Sequence, residues 1–595
     1  MSSVSTDPNI KGLECKHVGY VTAKDGSPHD LLAVKEIVHY HDGRMVPRLR
    51  LIEDWKRPFW VTHPGHRNHK DKKEWEERYK LQEFSSTQIT LPTSILRALG
   101  QEPGKYNSLR QICRSPYVYG ADVTTPVLVK HHYMETWPEV NGANGSPSTV
   151  CNLDTETDMV RGTGEILMCS LAQGSNVHLI LSQIYLQGIQ NPESDIRYAF
   201  EYYLGEYRAK RNIQLTIEIV PDAASVAYQA MMKVHAWKPD IVAIWNMDFD
   251  INKMAKDLER AGHDLGDVFS DPTIPLTYRT YKYVQGQSQK VTQSGKTMPI
   301  PYFDRWHSVE APATFQVIDA MCLYRKLRFT KGMAAGGYSL DAVLKEELGI
   351  RKLKFKEADH LTGGQWHAFM QANYRIEYAI YNCFDTISMQ ELDEKTGDLS
   401  KQIGLHSGHS EYNRFPSQPR RTWDDMHFEC LAVDKVAATT SDTMRTEMDA
   451  LTVDLKGHIV TLPSHQHFDT GMTILEELPD FAVSIWAHVA DLDVEATYPT
   501  EEALFNISKE TTACELVAIE GIDERTQRSI GINLTGGHVN AVEICTRVFK
   551  APTLDTLLAD YRAEMEGLEN TETALEWIDD FSGDDLAEEE SEEEF

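Results

Sequence analysis

The chain of 595 residues lacks the features that would place it in a membrane or outside the cell. It has no apolar run of the roughly 18 residues that cross a bilayer. Its first residues, MSSVSTDPNI, lack the basic and then apolar segments of a signal peptide. Its nine cysteines form no Cys-x-x-C pair, which argues against a zinc site or a disulfide framework. We therefore expect a soluble cytoplasmic protein with reduced thiols and no membrane partner.

Positive charge is scarce, since 59 Lys and Arg stand against 90 Asp and Glu, for a formal net charge of −31. Such a balance argues against a polyanionic partner. The charge is uneven, however, because no Lys or Arg follows Arg562 and the chain closes on LAEEESEEEF. We expect a disordered acidic tail from about Glu572. The tail could mimic nucleic acid, dock on a basic partner or only keep the chain soluble.

Basic and aromatic residues are concentrated in RPFWVTHPGHRNHKDKKEWEERYKL, residues 57–81, a composition that could follow nucleic acid phosphates. His63, His66 and His69 recur at every third position there. Because no Cys or carboxylate partner completes a metal site, a basic surface loop is favoured over a metal cluster. Farther along, PTSILRALG predicts a helix ended by Gly100, and residues 115–133 predict strands.

Two carboxylates stand one residue apart in VCNLDTETDM, residues 150–159. On a β-strand Asp154 and Glu156 share one face and Thr155 points away. Converging carboxylates are the ligands that divalent metals need in two-metal phosphoryl chemistry. An isolated Asp-x-Glu pair is usually solvated surface. The interpretation therefore depends on further ligands elsewhere in the chain.

The residues that follow predict a mixed sheet with helices, an α/β layout. Strands are predicted at 148–157, 165–172 and 177–182, then a helix capped by Asp222, and then the buried strand IVAIW. Asp250 follows this strand, where α/β sheets hold their chemistry, so it could face the same opening as Asp154. Alternatively Asp250 caps the helix INKMAKDLERAG, and the two roles are compatible.

A helix of about residues 365–395 is predicted from the helical spacing of its apolar residues. Tyr381 and Asp385 lie four residues apart and so share a face of this helix. The carboxylate could reach a metal while the phenol holds an attacking water. The alternative is a satisfied core tyrosine beside a solvated acid.

Together these stretches resemble the three motifs of the proofreading 3′–5′ exonuclease of family B DNA polymerases, an RNase H-like domain of the DEDDy class. The motifs are Asp-x-Glu at Asp154 and Glu156, Asn-x-x-Phe-Asp at Asn246, Phe249 and Asp250, and Tyr-x-x-x-Asp at Tyr381 and Asp385. Residues 317–350 are also similar to the connecting region of tailed-phage polymerases. The resemblance implies two Mg²⁺ or Mn²⁺ ions bound by Asp154, Glu156, Asp250 and Asp385, with Asn246 and Phe249 on the DNA.

Residues 486–512 resemble the first palm motif, Asp-x-x-Ser-Leu-Tyr-Pro-Ser, of the same family. The resemblance implies that Asp493 binds metal and that Tyr498 lies under the sugar of the incoming nucleotide. Three of its positions differ, with Ala496, Thr497 and Thr500 in place of Ser, Leu and Ser. From the residues alone, DLDV is a strand on which Asp491 and Asp493 share a face, a metal ligand set of low specificity.

The fingers motif Lys-x-x-x-Asn-Ser-x-Tyr-Gly and the Asp-Thr-Asp hairpin of the family do not occur in the sequence. Because nucleotidyl transfer needs carboxylates from both palm motifs, this chain alone should not polymerise. Gly536 and Gly537 lack the Gly-Lys-Ser/Thr of a phosphate loop, so a helix start is predicted there instead.

The resemblance thus implies the N-terminal subunit of a split polymerase in phage DNA replication, active in the cytoplasm of a bacterial host. Its partners would be primer-template DNA, a second polypeptide with fingers, remaining palm and thumb, and a sliding clamp as a further candidate. The alternatives are a stand-alone exonuclease with a palm remnant and a non-catalytic scaffold. The expected domains are 1–130 (β-rich, N-terminal), 131–395 (exonuclease), 396–480 (connecting, completing the N-terminal domain), 481–565 (partial palm) and 566–595 (acidic tail).

Overall fold

The computed structural model describes residues 8–439, except 71, 103–107, 292–296 and 329–336, together with two short strands near residue 535. The chain divides into two units, Met1–Glu447 and Met448–Phe595. Asp493 and Tyr498, predicted to belong to a palm, and the predicted acidic tail lie outside the described residues. The residues of the predicted exonuclease motifs, Asp154 to Asp385, all belong to the first unit.

The first 140 residues of the described chain form small antiparallel sheets and three helices. One sheet has the order β1-β2-β3 and another the order β6-β4-β7, while β5 pairs with β18 from residues 435–437. The strands are β1 (Ile10–Thr22), β2 (Asp30–Tyr40), β3 (Met45–Glu53), β4 (Arg57–Thr62), β5 (Trp75–Glu77), β6 (Leu81–Ser86), β7 (Val118–Tyr119) and β18 (Lys435–Ala437). The helices are α1 (Leu91–Leu99), α2 (Leu109–Ile112) and α3 (Thr125–Thr136).

Two sequence predictions in this region had different outcomes. The helix before Gly100 is confirmed as α1, and Gly100 ends it in the left-handed conformation that favours glycine. The prediction of strand-rich structure in residues 115–133 is wrong, because β7 covers only Val118–Tyr119 and the helix α3 begins at Thr125. Its Val, Thr and Tyr residues favour strands, but Pro126 in the first turn, after Thr124 at the N-cap position, starts a helix instead.

A mixed eight-stranded sheet has the order β11-β10-β9-β8-β12-β17-β16-β13, and its strand β8 contains Asp154 and Glu156. Strand β9 runs antiparallel to both neighbours, whereas β8, β12 and β17 run parallel. The strands are β8 (Val150–Thr157), β9 (Ile166–Gln173), β10 (Asn176–Ser182), β11 (Gln214–Val220), β12 (Ile241–Ile244), β13 (Lys282–Val284), β16 (Ser308–Glu310) and β17 (Gln316–Asp319). A separate hairpin pairs β14 (Gln289–Val291) with β15 (Thr297–Pro299).

Helices cover both faces of this sheet. Successive side chains of a strand point to opposite faces of the sheet. In β10, Leu179 lies in the apolar cluster on one face, together with Phe384, and Ile180 lies in the cluster on the other face, together with Ile251. The helices are α4 (Pro192–Arg211), α5 (Ala223–Trp237), α6 (Met247–Arg260), α7 (Leu265–Phe269), α8 (Ala320–Leu327), α9 (Leu340–Leu348), α10 (Gly363–Asn373), α11 (Arg375–Thr396), α12 (Ile403–Ser407) and α13 (Gln418–Ala432). The mixed α/β class expected from the sequence is confirmed.

The three predicted strands are confirmed as β8, β9 and β10, and β12 is the predicted buried strand. Asp222 caps α5, as predicted, by accepting a hydrogen bond from the amide of Ser225. The single helix expected at 365–395 is instead two helices, α10 and α11, because Tyr374 between them has non-helical dihedral angles. Asp250 is not an N-cap, since α6 begins at Met247 and places Asp250 inside its first turn.

Residues 531–540 differ from the sequence prediction. A helix start was expected at Gly536 and Gly537, but Gly531–Leu534 (β19) and Gly537–Asn540 (β20) pair as antiparallel strands. Ile532 lies opposite Val539 in this pairing.

No helix of the described residues is long and apolar enough to cross a membrane. The described cysteines are all free thiols, as the sequence predicted.

Candidate metal centre

The alternation of β8 brings Asp154 and Glu156 to one side of the sheet, as the sequence predicted. The third carboxylate, Asp385, comes from α11, which packs across β8 and β9. One ligand oxygen from each of the three residues lies within 4.8 Å of the others. Glu156 and Asp385 are buried and Asp154 is partly buried, so the cluster combines three acids with little water.

Asp154 is oriented by the helix that carries Asp385. The side-chain amide of Asn382 donates to Asp154 Oδ2 at 2.7 Å and to the Asp154 carbonyl at 3.3 Å. The carbonyl of Asn382 in turn accepts from the hydroxyl of Ser170 in β9 at 2.7 Å. These bonds fix the register of α11 against β8 and β9, and hence the distance between two of the carboxylates.

Lys352 places an ammonium group against Asp385 and Tyr381. Its Nζ contacts Asp385 Oδ2 and lies 3.1 Å from the Tyr381 hydroxyl. It also sits 5.0 Å from the centre of the Tyr381 ring, within the range of a cation–π contact. The Lys352 amide donates to Asp341 Oδ1 at 2.9 Å. The ammonium group of Lys352 therefore contacts both Tyr381 and Asp385, which already lie near each other because they are four residues apart on α11.

The second carboxylate oxygen of Asp385, Oδ1, shows that this cluster suits a cation. Asp385 Oδ1 is buried and has no hydrogen-bond partner among the described residues. A buried carboxylate oxygen without a partner is costly. A cation bound there would satisfy it. Hard divalent cations prefer carboxylate oxygens of this kind, so the three-acid cluster can hold a metal ion.

Burial and the charges of neighbouring carboxylates shift Asp154 and Asp385 towards the protonated form by raising their pKa values. Burial, with the charges of Asp385, Asp250 and Glu156, raises the pKa of Asp154 well above its usual range. Burial raises the pKa of Asp385 to about 6, although the ammonium of Lys352 opposes the shift. Burial alone would lower the pKa of Lys352, but Asp385, Tyr381 and Asp154 together raise it. A bound cation would favour the ionised carboxylates.

Asp250 stands beside this cluster and not within it. It is buried at the start of α6 and accepts hydrogen bonds from the amide and the hydroxyl of Thr155. Strand alternation places Thr155 on the face opposite to Asp154 and Glu156, so Asp250 approaches the same strand from the other layer. It still affects the acids, since its charge raises the pKa of Asp154. Burial raises the pKa of Asp250 itself to about 7.

Asn246 and Phe249, the predicted DNA contacts, are both exposed at the start of α6. The Phe249 ring is 44% exposed and lies 5.4 Å from the ammonium of Lys253. An exposed aromatic ring beside a cation offers a stacking surface for a base and a charge for a phosphate. Their placement is thus compatible with the predicted role.

Three residues of the site were not identified from the sequence: Lys352, Asn382 and Tyr378, whose hydroxyl donates to Glu156 Oε2. Two of them had a signal, because Tyr378 precedes Tyr381 by three positions and Asn382 precedes Asp385 by three, so each pair shares a helix face. Lys352 had none, since it lies between α9 and α10 outside any helix or strand.

Comparison of the chain with models of known protein families and with curated proteins found no match.

Proposed function

We propose that this chain is a metal-dependent 3′–5′ DNA exonuclease, the proofreading part of a family B DNA polymerase. The observation that carries the proposal is the convergence of Asp154, Glu156 and Asp385 within 4.8 Å, with Tyr381 beside them. These residues were singled out from two separate stretches of sequence, residues 150–159 and the helix of about residues 365–395. Their meeting at one site supports the resemblance from which they were chosen.

The fold gives further support. Two of the carboxylates lie on β8, inside a mixed sheet in which β8 runs parallel to β12 and antiparallel to β9. The third comes from a helix packed across that strand. We propose that this layer is the RNase H-like domain that the resemblance implies.

Divalent metal ions, Mg²⁺ or Mn²⁺ and two in number, would supply an activated water and charge stabilisation at the phosphorus. Asp154, Glu156 and Asp385 would hold one of them. The resemblance assigns Asp250 to the second ion, and in the structure its carboxylate accepts from the amide and the hydroxyl of Thr155.

The remaining residues position the reactants. The Tyr381 hydroxyl has Lys352 Nζ as its donor, so its own proton is free to bond an attacking water. Burial and the Asp385 charge raise the pKa of Tyr381, which keeps that proton in place. Tyr381 therefore acts as a donor that orients the water, and Lys352 fixes the orientation of Tyr381.

The polymerase part of the proposal concerns Asp493 and Tyr498, outside the described residues. We propose that Asp493 is one carboxylate of a polymerase site whose fingers and second palm carboxylate come from a second polypeptide. Primer-template DNA is then the shared ligand of both chains, and a sliding clamp is a candidate third partner.

The test uses the full chain, Mg²⁺ and single-stranded DNA labelled at its 5′ end. Wild type should shorten the DNA stepwise from the 3′ end, and a phosphorothioate 3′ linkage should block it. The double variant Asp154→Ala/Glu156→Ala should lose activity by at least about 10³-fold, because it removes two metal ligands. Tyr381→Phe should lose about 10²-fold, because a positioned hydroxyl contributes less than a ligand.

The matched control is Glu193→Ala/Asp195→Ala, which also removes one Glu and one Asp but from an exposed turn of α4. It should retain wild-type activity. If wild type does not degrade DNA, or if Asp154→Ala/Glu156→Ala degrades it as fast as the control does, the proposed function is wrong.

A further inference from the structure

Side chains of helices α10 and α11 hold Glu156 through a chain of hydrogen bonds. The proposed chemistry gives these side chains no role. The hydroxyl of Tyr378, a fully buried residue of α11, donates to Glu156 Oε2. His367 of α10 places Nδ1 at 2.7 Å from the same hydroxyl and at 3.6 Å from Glu156 Oε2. Among the described residues, these contacts of the Glu156 carboxylate all go to Oε2.

The direction of this chain of bonds follows from the protons available. Between the Tyr378 hydroxyl and Glu156 Oε2 the phenol is the donor, because a carboxylate oxygen only accepts. A phenol has one proton, and it is directed to Glu156. The Tyr378 oxygen must then accept from His367, which requires a proton on Nδ1. The bonds therefore run from His367 to Tyr378 to Glu156.

Gln371, one turn after His367 on α10, fixes this helix to the end of β8. Its side-chain nitrogen donates to the Thr157 carbonyl at 2.8 Å and to the Tyr378 hydroxyl at 3.3 Å. Its side-chain oxygen accepts from the Met159 amide at 2.8 Å. Helix α10 is thus tied to the strand that carries Glu156, and His367 is held at a defined distance from it.

The His367 side chain is 32% exposed, so it is not a residue that merely fills the core. Its ring meets the Tyr378 ring edge-on, at 5.8 Å and 89°. It stands 6.1 Å from the Tyr381 ring. His367 is partly exposed and is hydrogen-bonded through Nδ1 to the tyrosine that contacts Glu156. Residues that hydrogen-bond to metal ligands and so orient them are placed in this way.

We propose that His367 and Tyr378 are positioning residues of the metal centre, which hold Glu156 by Oε2 and leave Oε1 to bind the ion. Glu156 is then a monodentate ligand with a fixed carboxylate plane. This inference rests on the metal centre of the proposed function, and it adds helix α10 to the elements that build that centre.

The experiment measures Mn²⁺ binding to the full chain without DNA, by electron paramagnetic resonance of the free ion. Outer partners of metal ligands typically contribute 10- to 100-fold in affinity. Tyr378→Phe should therefore weaken Mn²⁺ binding by about tenfold or more. His367→Ala should weaken it in the same direction. His367→Asn should restore most of the affinity, because the Asn amide nitrogen occupies nearly the position of Nδ1.

The matched control is Tyr324→Phe, since Tyr324 is also buried and also donates to a glutamate, Glu347, at 2.8 Å. It should bind Mn²⁺ as wild type does. Circular dichroism of each variant checks folding, and the two His367 variants test the inference even if Tyr378→Phe does not fold.

Three results would overturn the inference: wild-type Mn²⁺ affinity in Tyr378→Phe and His367→Ala, equal affinity in His367→Asn and His367→Ala, or no Mn²⁺ binding by wild type. Wild type that binds Mn²⁺ but leaves DNA intact would instead overturn the proposed function, while the affinities of the variants still decide the role of His367.

Discussion

Replacing Asp250 by Asn should stabilise the metal-free protein at pH 8, although it should abolish the function of the site. The folded-state pKa of Asp250 is about 7, whereas the ordinary value is 3.8. The folded chain therefore keeps a proton that the unfolded chain releases between about pH 4 and pH 7. Over that range the wild-type free energy of unfolding falls as the pH rises. Below about pH 4 both states hold the proton and no penalty exists.

The size of the effect follows from the shift. A difference of about 3 pKa units corresponds to about 4 kcal/mol of unfolding free energy. Asn avoids this cost, because its amide carries no charge and its oxygen still accepts from the Thr155 amide and hydroxyl. A carboxylate in the first turn of a helix gains about 0.3–1 kcal/mol from the helix dipole, which Asn forgoes. The expected net gain at pH 8 is therefore about 3 kcal/mol.

Urea unfolding in EDTA at pH 4, 6 and 8, together with hydrogen exchange of peptides from α6, measures this gain. The advantage of Asp250→Asn should be near zero at pH 4 and should grow to its full value at pH 8. Asp195→Asn, an exposed acid in the first turn of α4, is the control and should change stability by less than about 1 kcal/mol. Equal or lower stability of Asp250→Asn at pH 8, or the same advantage at every pH, would refute the reasoning.

Two further outcomes are expected. Lys352→Met should shift the acid limb of the pH–activity profile of the exonuclease to higher pH, because it removes the cation that opposes protonation of Asp385; the loss should be roughly tenfold larger at pH 6 than at pH 9. An unshifted profile would contradict this role. When the chain is mixed with a polypeptide that supplies fingers and a second palm carboxylate, primer extension should appear, and Asp493→Ala should remove it while leaving degradation intact. Primer extension by the isolated chain would contradict the split site.

The acidic residues of the site could be predicted from the sequence because each lies in a regular strand or helix. Alternation on a strand relates Asp154 to Glu156, and the helical repeat relates Tyr381 to Asp385. Both rules act over a few residues, and both hold here. The side on which Asp250 approaches was not accessible, since it depends on the packing of α6 against β8 and not on local spacing.

Other parts of the fold were beyond local rules. Lys352 has no periodic neighbours, because it lies between α9 and α10, and its contact with Asp385 of α11 joins residues 33 positions apart. In α3, strand propensity and the helix-start signal at Pro126 disagreed, and the start signal together with packing decided the outcome. The division of residues 363–396 into two helices was not predicted from the sequence. The break falls at Tyr374, and no proline or glycine marks that position.

Lys35 and Asp240 form a buried ion pair, with Nζ and Oδ1 3.3 Å apart. This pair helps to fix the relative positions of the residues of the metal centre. Lys35 also donates to the carbonyls of Lys238 and Pro239. Asp240 accepts from the amide and the hydroxyl of Thr149, at 2.8 and 2.9 Å. The residues just before β8 and just before β12 are therefore clamped at one point. Strand β8 contains Asp154, and strand β12 leads into α6. Because both strands begin at the same ion pair, a displacement of the N-terminal sheet should move Asp154 and the start of α6 together and leave the distance between them unchanged.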